Sequence, residues 1–219
     1  MLVNNRHTIY LVLLLVLILA AFFRFWKLDE LPPGLYHDEA YNGLDALSLI
    51  QGKTFPQFYE GWELYAADAH ADRSSQQTRF PLFFEGNYGR EPLHIYLMAL
   101  SISILDATPF AVRAVPAAAG VLAVLTTFLA AKALGISKSN LLPLFAAFTM
   151  AILYPAVHFS RFGIRAMVFV PIETMVVACF WWGINRGNHR QKIGQEWGTW
   201  FWFLTAGVLL GLSLYTFAA

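Results

Sequence analysis

The feature that most limits how this chain can fold is a series of long apolar runs, at about 9–26, 110–133, 141–159, 166–184 and 199–219. A run of roughly 20 apolar residues crosses a bilayer as a helix, because a helix satisfies its own backbone where no water is available. Composition agrees: 58% of the residues are hydrophobic and 13% charged, where soluble domains carry about 25% charged residues. The sequence therefore predicts an all-α polytopic membrane protein whose surroundings are the lipid bilayer. A net charge of +1 with no basic stripe gives no footing for nucleic acid. The single cysteine, Cys179, lies in an apolar run, which excludes an intramolecular disulfide and a cysteine-based zinc motif. There is no internal repeat and no low-complexity tract.

Arg6 and His7 precede the first run, which closes on Phe22, Phe23, Phe25 and Trp26, an aromatic belt at headgroup level. A cleavable signal peptide with a small-residue site at Ala20-Ala21 is the alternative; the length of the run favours an uncleaved span with its N-terminus inside. From 27 to 92 the chain is mixed and holds most of its acids. There Tyr41, Leu44, Leu47 and Ile50 recur at helical spacing with Gly52 as a stop, predicting a short amphipathic helix lying on the membrane. The aromatic stretch 55–65 suits the same surface, and 68–77 reads as a solvated loop.

The apolar stretch 93–105 is too short for an ordinary span and decides the topology. If it does not cross, the loop with Lys132 and Lys138 and the loop with Arg186, Arg190 and Lys192 both fall inside, as the positive-inside bias prefers. Five spans and a first external segment of about 27–109 follow. Arg24 and Lys27, outside in this scheme, run against the bias. The last run reaches the end of the sequence with no polar anchor, so further spans are expected beyond it.

In that topology three polar groups converge on the external face. They are Asp38 and Glu39 after the turn Leu31-Pro-Pro-Gly34, then Gly89-Arg90-Glu91-Pro92-Leu93-His94, then Ser160-Arg161-Phe-Gly-Ile-Arg165; Arg113 is a possible fourth. Charges at such a depth invite a functional reading. A carboxylate can take a proton from an acceptor hydroxyl, while guanidinium forks hold a departing phosphate. Structural readings stand beside each. Asp38 and Glu39 suit a helix N-terminus; Arg161 and Arg165, four apart, can snorkel to headgroups; Arg113 can anchor a helix end. Glu91 and His94 flank Pro92 at a helix start, and Glu173 within its run reads as a paired structural acid. His158 reads as packing, and Asp68, His70 and Asp72 as a solvated loop rather than a metal site.

The ordered set of His37-Asp38-Glu39-Ala40, Gly89-Arg90-Glu91-Pro92-Leu93, Val112-Arg113-Ala-Val-Pro116-Ala and Ser160-Arg161 resembles the N-terminal half of membrane glycosyltransferases with the GT-C fold. The group is glycosyltransferase family 39, the protein O-mannosyltransferase and aminoarabinose-transferase-like enzymes. The resemblance implies a GT-C-like helix bundle with juxtamembrane helices in a long first external loop, and a polyprenyl- or dolichyl-phosphate sugar as donor. It implies Asp38 as catalytic base with Glu39 beside it. Arg90, Arg161 and Arg165 would bind the donor phosphate, with His94 and Arg113 in support.

Arg90-Glu91-Pro92-Leu93 departs from the family's Lys/His-Pro-Pro-Leu. The acid that follows Ser-Arg in relatives has no counterpart here before Glu173, which weakens the carry-over of a divalent metal. No cofactor is assigned. The expected function is an inverting transfer to a hydroxyl of a protein, lipid or glycan, in a multi-pass protein of the cell membrane with a cytoplasmic N-terminus. The rivals are a transporter or flippase for an anionic lipid and a non-catalytic assembly subunit.

Overall fold

The computed structural model describes residues 6–52, 81–84, 90–136, 139–188 and 197–216. Among them the chain forms eight helices and no strand, with Phe84 and Arg90 joined in a lone antiparallel bridge. In chain order the helices are α1 (Arg6–Phe25), α2 (His37–Gln51), α3 (Pro92–Leu105), α4 (Pro109–Leu134), α5 (Leu141–Ile152), α6 (Tyr154–Ser160), α7 (Ala166–Asn188) and α8 (Trp197–Ser213). Helices α1, α4 and α7 are each long and apolar enough to cross a membrane; α5 and α6 meet that test only as a bent pair, and α3 and α8 are shorter apolar helices. The stretches 55–65 and 68–77, with Asp68, His70 and Asp72, lie outside the described residues, as do Gly89, Lys138, Arg190 and Lys192.

Helix boundaries follow local chemistry. Helix α4 opens on Thr108, whose hydroxyl accepts from the Ala111 amide at 3.2 Å, with Pro109 in its first turn. It closes on Gly135 in the left-handed region at φ 62°, as α2 closes on Gly52 at φ 67°. Small residues let the long helices approach closely. Ala20 of α1 and Ala147 and Ala151 of α5 pack with Val124 and Phe128 of α4, while Ala130 and Ala133 of α4 meet Ala178 of α7. Where α7 meets α8, a side chain at Gly183 would press on the Phe203 ring.

The apolar run 141–159 predicts one straight span, but the chain bends by 56° between α5 and α6. Pro155 has no N–H for the carbonyl of Ala151, and its ring cannot sit in a straight helix. The bend also deprives the Met150 carbonyl of its helical donor. Arg24, fully buried near the end of α1, supplies both: its Nη1 donates to Ala151 O at 3.0 Å and its Nη2 to Met150 O at 3.1 Å. Its Nε donates to Ser160 Oγ at 3.2 Å. Gly120 of α4 leaves the room, since a Cβ there would collide with Ser160 Oγ and Arg24 Nε. An external arginine of the sequence reading is thus a buried clamp on a broken helix.

Helix α3 begins and ends in one layer. Near its start His94 reaches the backbone of Gly163, and the Leu93 amide donates to Tyr215 O at 3.0 Å. Near its end Ser101 Oγ donates to Ala111 O at 2.7 Å, in the first turn of α4. Its buried side chains, Ile95, Met98, Ala99 and Ile102, pack on Ala46 of α2 and on Ala111 and Val112. Helices α2 and α3 therefore form a lid of packed side chains over one end of the bundle.

Candidate functional site

The polar end of the bundle is organised by the turn before α2. Glu39 stands in the first turn of that helix and accepts the Tyr36 amide on Oε2 at 2.8 Å, closing the helix N-terminus. It is wholly buried, and Arg113 of α4 meets it in a fork, Nε to Oε1 at 3.0 Å and Nη2 to Oε2 at 3.2 Å. The other donors of Arg113 go to the turn itself, to Leu28 O at 3.2 Å, Pro32 O at 2.8 Å and Gly34 O. Five N–H donors meet five acceptors, so a buried charge is compensated in full.

The connector 161–165 completes the frame. The Gly163 amide donates to Glu39 Oε1 at 2.6 Å, and its carbonyl accepts Asn42 Nδ2 at 2.9 Å and His94 Nε2 at 3.2 Å. A carbonyl can only accept, so Nε2 carries the imidazole proton, and Nδ1 is buried with no partner among the described residues. Burial holds the His94 pKa down to about 4, against the Gly163 hydrogen bond. Glycine is required at 163 by space: a Cβ would stand 2.8 Å from Val112 Cγ1 and 3.2 Å from Glu39 Cγ. The sequence offered one hint of this hub, a glycine between two arginines.

Asp38 follows from that frame. It precedes the locked Glu39 and points outward, with 47% of its side chain exposed and its Oδ1 3.5 Å from His37 Nδ1. His37 packs on the Tyr41 ring at 4.6 Å, and the Arg90 guanidinium lies over the same ring at 5.9 Å. Arg90 is buried between α2 and α3, donating Nη1 to Asn42 Oδ1 at 2.5 Å and Nη2 to Asp45 Oδ2. Burial pushes the Asp45 carboxyl up to about 6, against the pull of Arg90. Burial lowers the Arg90 pKa, with Asp45 opposing; Arg165 lowers it further and Asp38 raises it. Arg165 Nη1 lies 3.0 Å from Glu91 Oε2, an ion pair set by proximity rather than by an aligned hydrogen bond.

The structure thus gathers Arg90, Arg165 and His94 around the connector and the start of α3, with Asp38 exposed beside His37 on the Tyr41 side of Arg90, while Glu39 and Arg113 form the lock behind them. Arg161 faces elsewhere. Its Nη1 donates to Phe23 O at 2.8 Å and its Nη2 to Trp26 O at 2.8 Å and Leu31 O at 3.0 Å. Phe23 lies in the last turn of α1 and Trp26 and Leu31 in the turn after it, so Arg161 ties the end of α1 to that turn. Glu173 is half-buried on α7, away from this cluster. Among the described residues no three side chains of His, Cys, Asp and Glu gather as metal ligands.

Residues 81–216 match the family model described as dolichyl-phosphate-mannose-protein mannosyltransferase. The fold is similar to that in the crystal structure of the Archaeoglobus fulgidus oligosaccharyltransferase in the apo form, with a TM-score of 0.65 at 17% identity. That likeness covers 97% of this chain and 24% of the archaeal one, so the chain spans about a quarter of the protein it matches. No curated protein sequence matches the chain.

Proposed function

The chain belongs to the dolichyl-phosphate-mannose-protein mannosyltransferase family, and from that premise we propose that it carries the catalytic end of a lipid-dependent glycosyltransferase. The donor is a polyprenyl- or dolichyl-phosphate sugar, and the acceptor is a hydroxyl of a protein, lipid or glycan. Asp38 takes the proton from that hydroxyl. The oxygen attacks the anomeric carbon, polyprenyl phosphate leaves from the opposite face, and the product is inverted. Arg90, on which Asp38 acts electrostatically, and Arg165, paired with Glu91 next to Arg90 in sequence, meet the charge that grows on the departing phosphate. Glu39 and Arg113 hold the base in place, and Arg161 supports α1. The reaction face is external, with α1, α4, the α5–α6 pair, α7 and α8 as spans and the N-terminus in the cytoplasm of a cell-membrane protein.

One observation carries this reading: two adjacent acids are divided, Glu39 wholly buried in the Arg113 fork and Asp38 left half-exposed beside Arg90. A general base contributes about 10²–10⁴-fold to a rate. Asp38→Asn in the full-length gene product is therefore expected to lower transfer from a radiolabelled polyprenyl-phosphate sugar by that factor, while membrane insertion and thermal stability stay as in the wild type. Equal transfer by both proteins removes Asp38 as the base. No transfer by either, with lipid flipping present, favours a transporter.

A further inference from the structure

Four rings from two segments form a continuous ladder on the protein surface. Tyr154 stacks on His158 at 5.4 Å and 22°, His158 meets Phe162 at 4.8 Å, and Phe162 meets Tyr36 edge-on at 6.4 Å. The lowest ring stands at the bend between α5 and α6, the third lies in the connector beside Gly163, and the highest belongs to the residue whose amide is bound by Glu39. Tyr154 is 73% and Tyr36 58% exposed, with Phe159 exposed alongside, while His158 and Phe162 between them are half-buried, so the ladder is open at both ends and partly open between. Its upper end lies two residues from Asp38.

We propose that this ladder seats the first isoprene units of the lipid donor and leads its phosphate to Arg165 and Asp38; the inference rests on the donor class proposed above. Hydrophobic burial cannot supply the selection, because a tail that leaves bulk lipid for an apolar wall gains little. Shape can. Flat rings spaced near the repeat of an isoprenoid chain offer faces and edges to its alkenes and methyl branches, whereas a straight saturated acyl chain has neither feature. Seating the tail also holds the anomeric carbon near the base, where positioning is worth most. An aromatic belt at headgroup level distributes rings around a protein; these four touch in series, along one line that ends at the site.

The test compares two donors, one of long polyprenyl chain and one of two isoprene units, in vesicles containing the full-length protein or its Tyr154→Ala/His158→Ala variant. The ratio of kcat/KM for the long donor to that for the short donor is expected to fall about tenfold in the variant. In parallel, a diazirine-tagged polyprenyl phosphate is photolysed with the wild type. Labelling of 154–162 is expected, competed by untagged polyprenyl phosphate and not by phosphatidylglycerol. An unchanged ratio overturns the ladder, and so does equal competition by phosphatidylglycerol. If the wild type turns over neither donor, the proposed function fails, and the labelling alone then decides whether the ladder binds isoprenoid.

Discussion

Neighbouring positions on a helix face directions roughly 100° apart, and that is why Asp38 and Glu39 have different work. One points into the bundle and finds Arg113, the other points out. Glu39→Gln would keep one acceptor oxygen, so either the Tyr36 or the Gly163 amide would face an NH2 donor, and the Arg113 charge would be left buried without its counter-ion. Breaking such a pair from one side costs about 3–5 kcal/mol. The Glu39→Gln protein is therefore expected to melt well below the wild type in detergent, whereas Asp38→Asn melts with it; a variant at Glu39 that melts like the wild type would refute the lock. The acidic pair itself was legible from the sequence, as was the neighbourhood of Arg90, His94 and Arg165. Which acid is buried was not, because the deciding partners, Arg113 and Gly163, lie far along the chain. The four-residue spacing that would put Arg161 and Arg165 on one helical face does not hold, because the chain leaves the helix after Ser160 and the two guanidiniums part company.

At the level of elements, the layer of α2 and α3 carries two buried titratable groups whose shifts oppose each other, Asp45 paired with Arg90 and His94 bound to Gly163. Asp45 of α2 is raised to about 6, so the folded layer holds a proton that the unfolded chain releases near pH 4; its contribution to stability is lost as pH rises from about 4 to 6. His94 of α3 is lowered to about 4, so below its usual value of 6.5 the unfolded chain holds the proton instead. Its contribution is therefore gained as pH rises through the same window. Each slope is about 1.4 kcal/mol per pH unit, and together they nearly cancel. Melting curves between pH 4.5 and 6 are expected to be flat for the wild type, to rise with pH for Asp45→Asn and to fall with pH for His94→Gln. Parallel curves for all three would remove these shifts from the stability of the layer. Helix α2 was legible as a helix ending at Gly52 from its apolar spacing, but the face it buries was not, since Glu39, Asn42 and Asp45 point inward while Tyr41, Leu44, Leu47 and Ile50 stay more open. The break between α5 and α6 was hidden, since hydropathy runs unbroken across it; Pro155 was the local signal, and the arginine that makes the break affordable stands on another helix.

For the whole molecule, sidedness turns on α3. The apolar runs made a membrane bundle legible, yet a helix of 14 residues can lie in an interface or cross a thinned bilayer, and length alone cannot choose. Packing can. His94 at the start of α3 and Ser101 near its end both bind the layer around Gly163 and Ala111, so Leu35 before α2 and Ala107 after α3 should share a face. Ile136, beyond the far end of α4, should lie on the other. These 219 residues hold one cysteine, Cys179, and it is buried, so a Cys179→Ser background of this chain leaves a clean reporter. In sealed, oriented vesicles a membrane-impermeant maleimide is expected to label Leu35→Cys and Ala107→Cys from one side and Ile136→Cys from the other. Were Ala107→Cys and Leu35→Cys labelled from opposite sides, α3 would cross and α4 would run the other way. Arg113 could not then reach Glu39 without leaving its helix, because α4 begins at Pro109 and places Arg113 one turn further on, close to Ala107. The labelling experiment therefore tests the geometry of the site as well as the topology, and it does so without requiring any donor sugar.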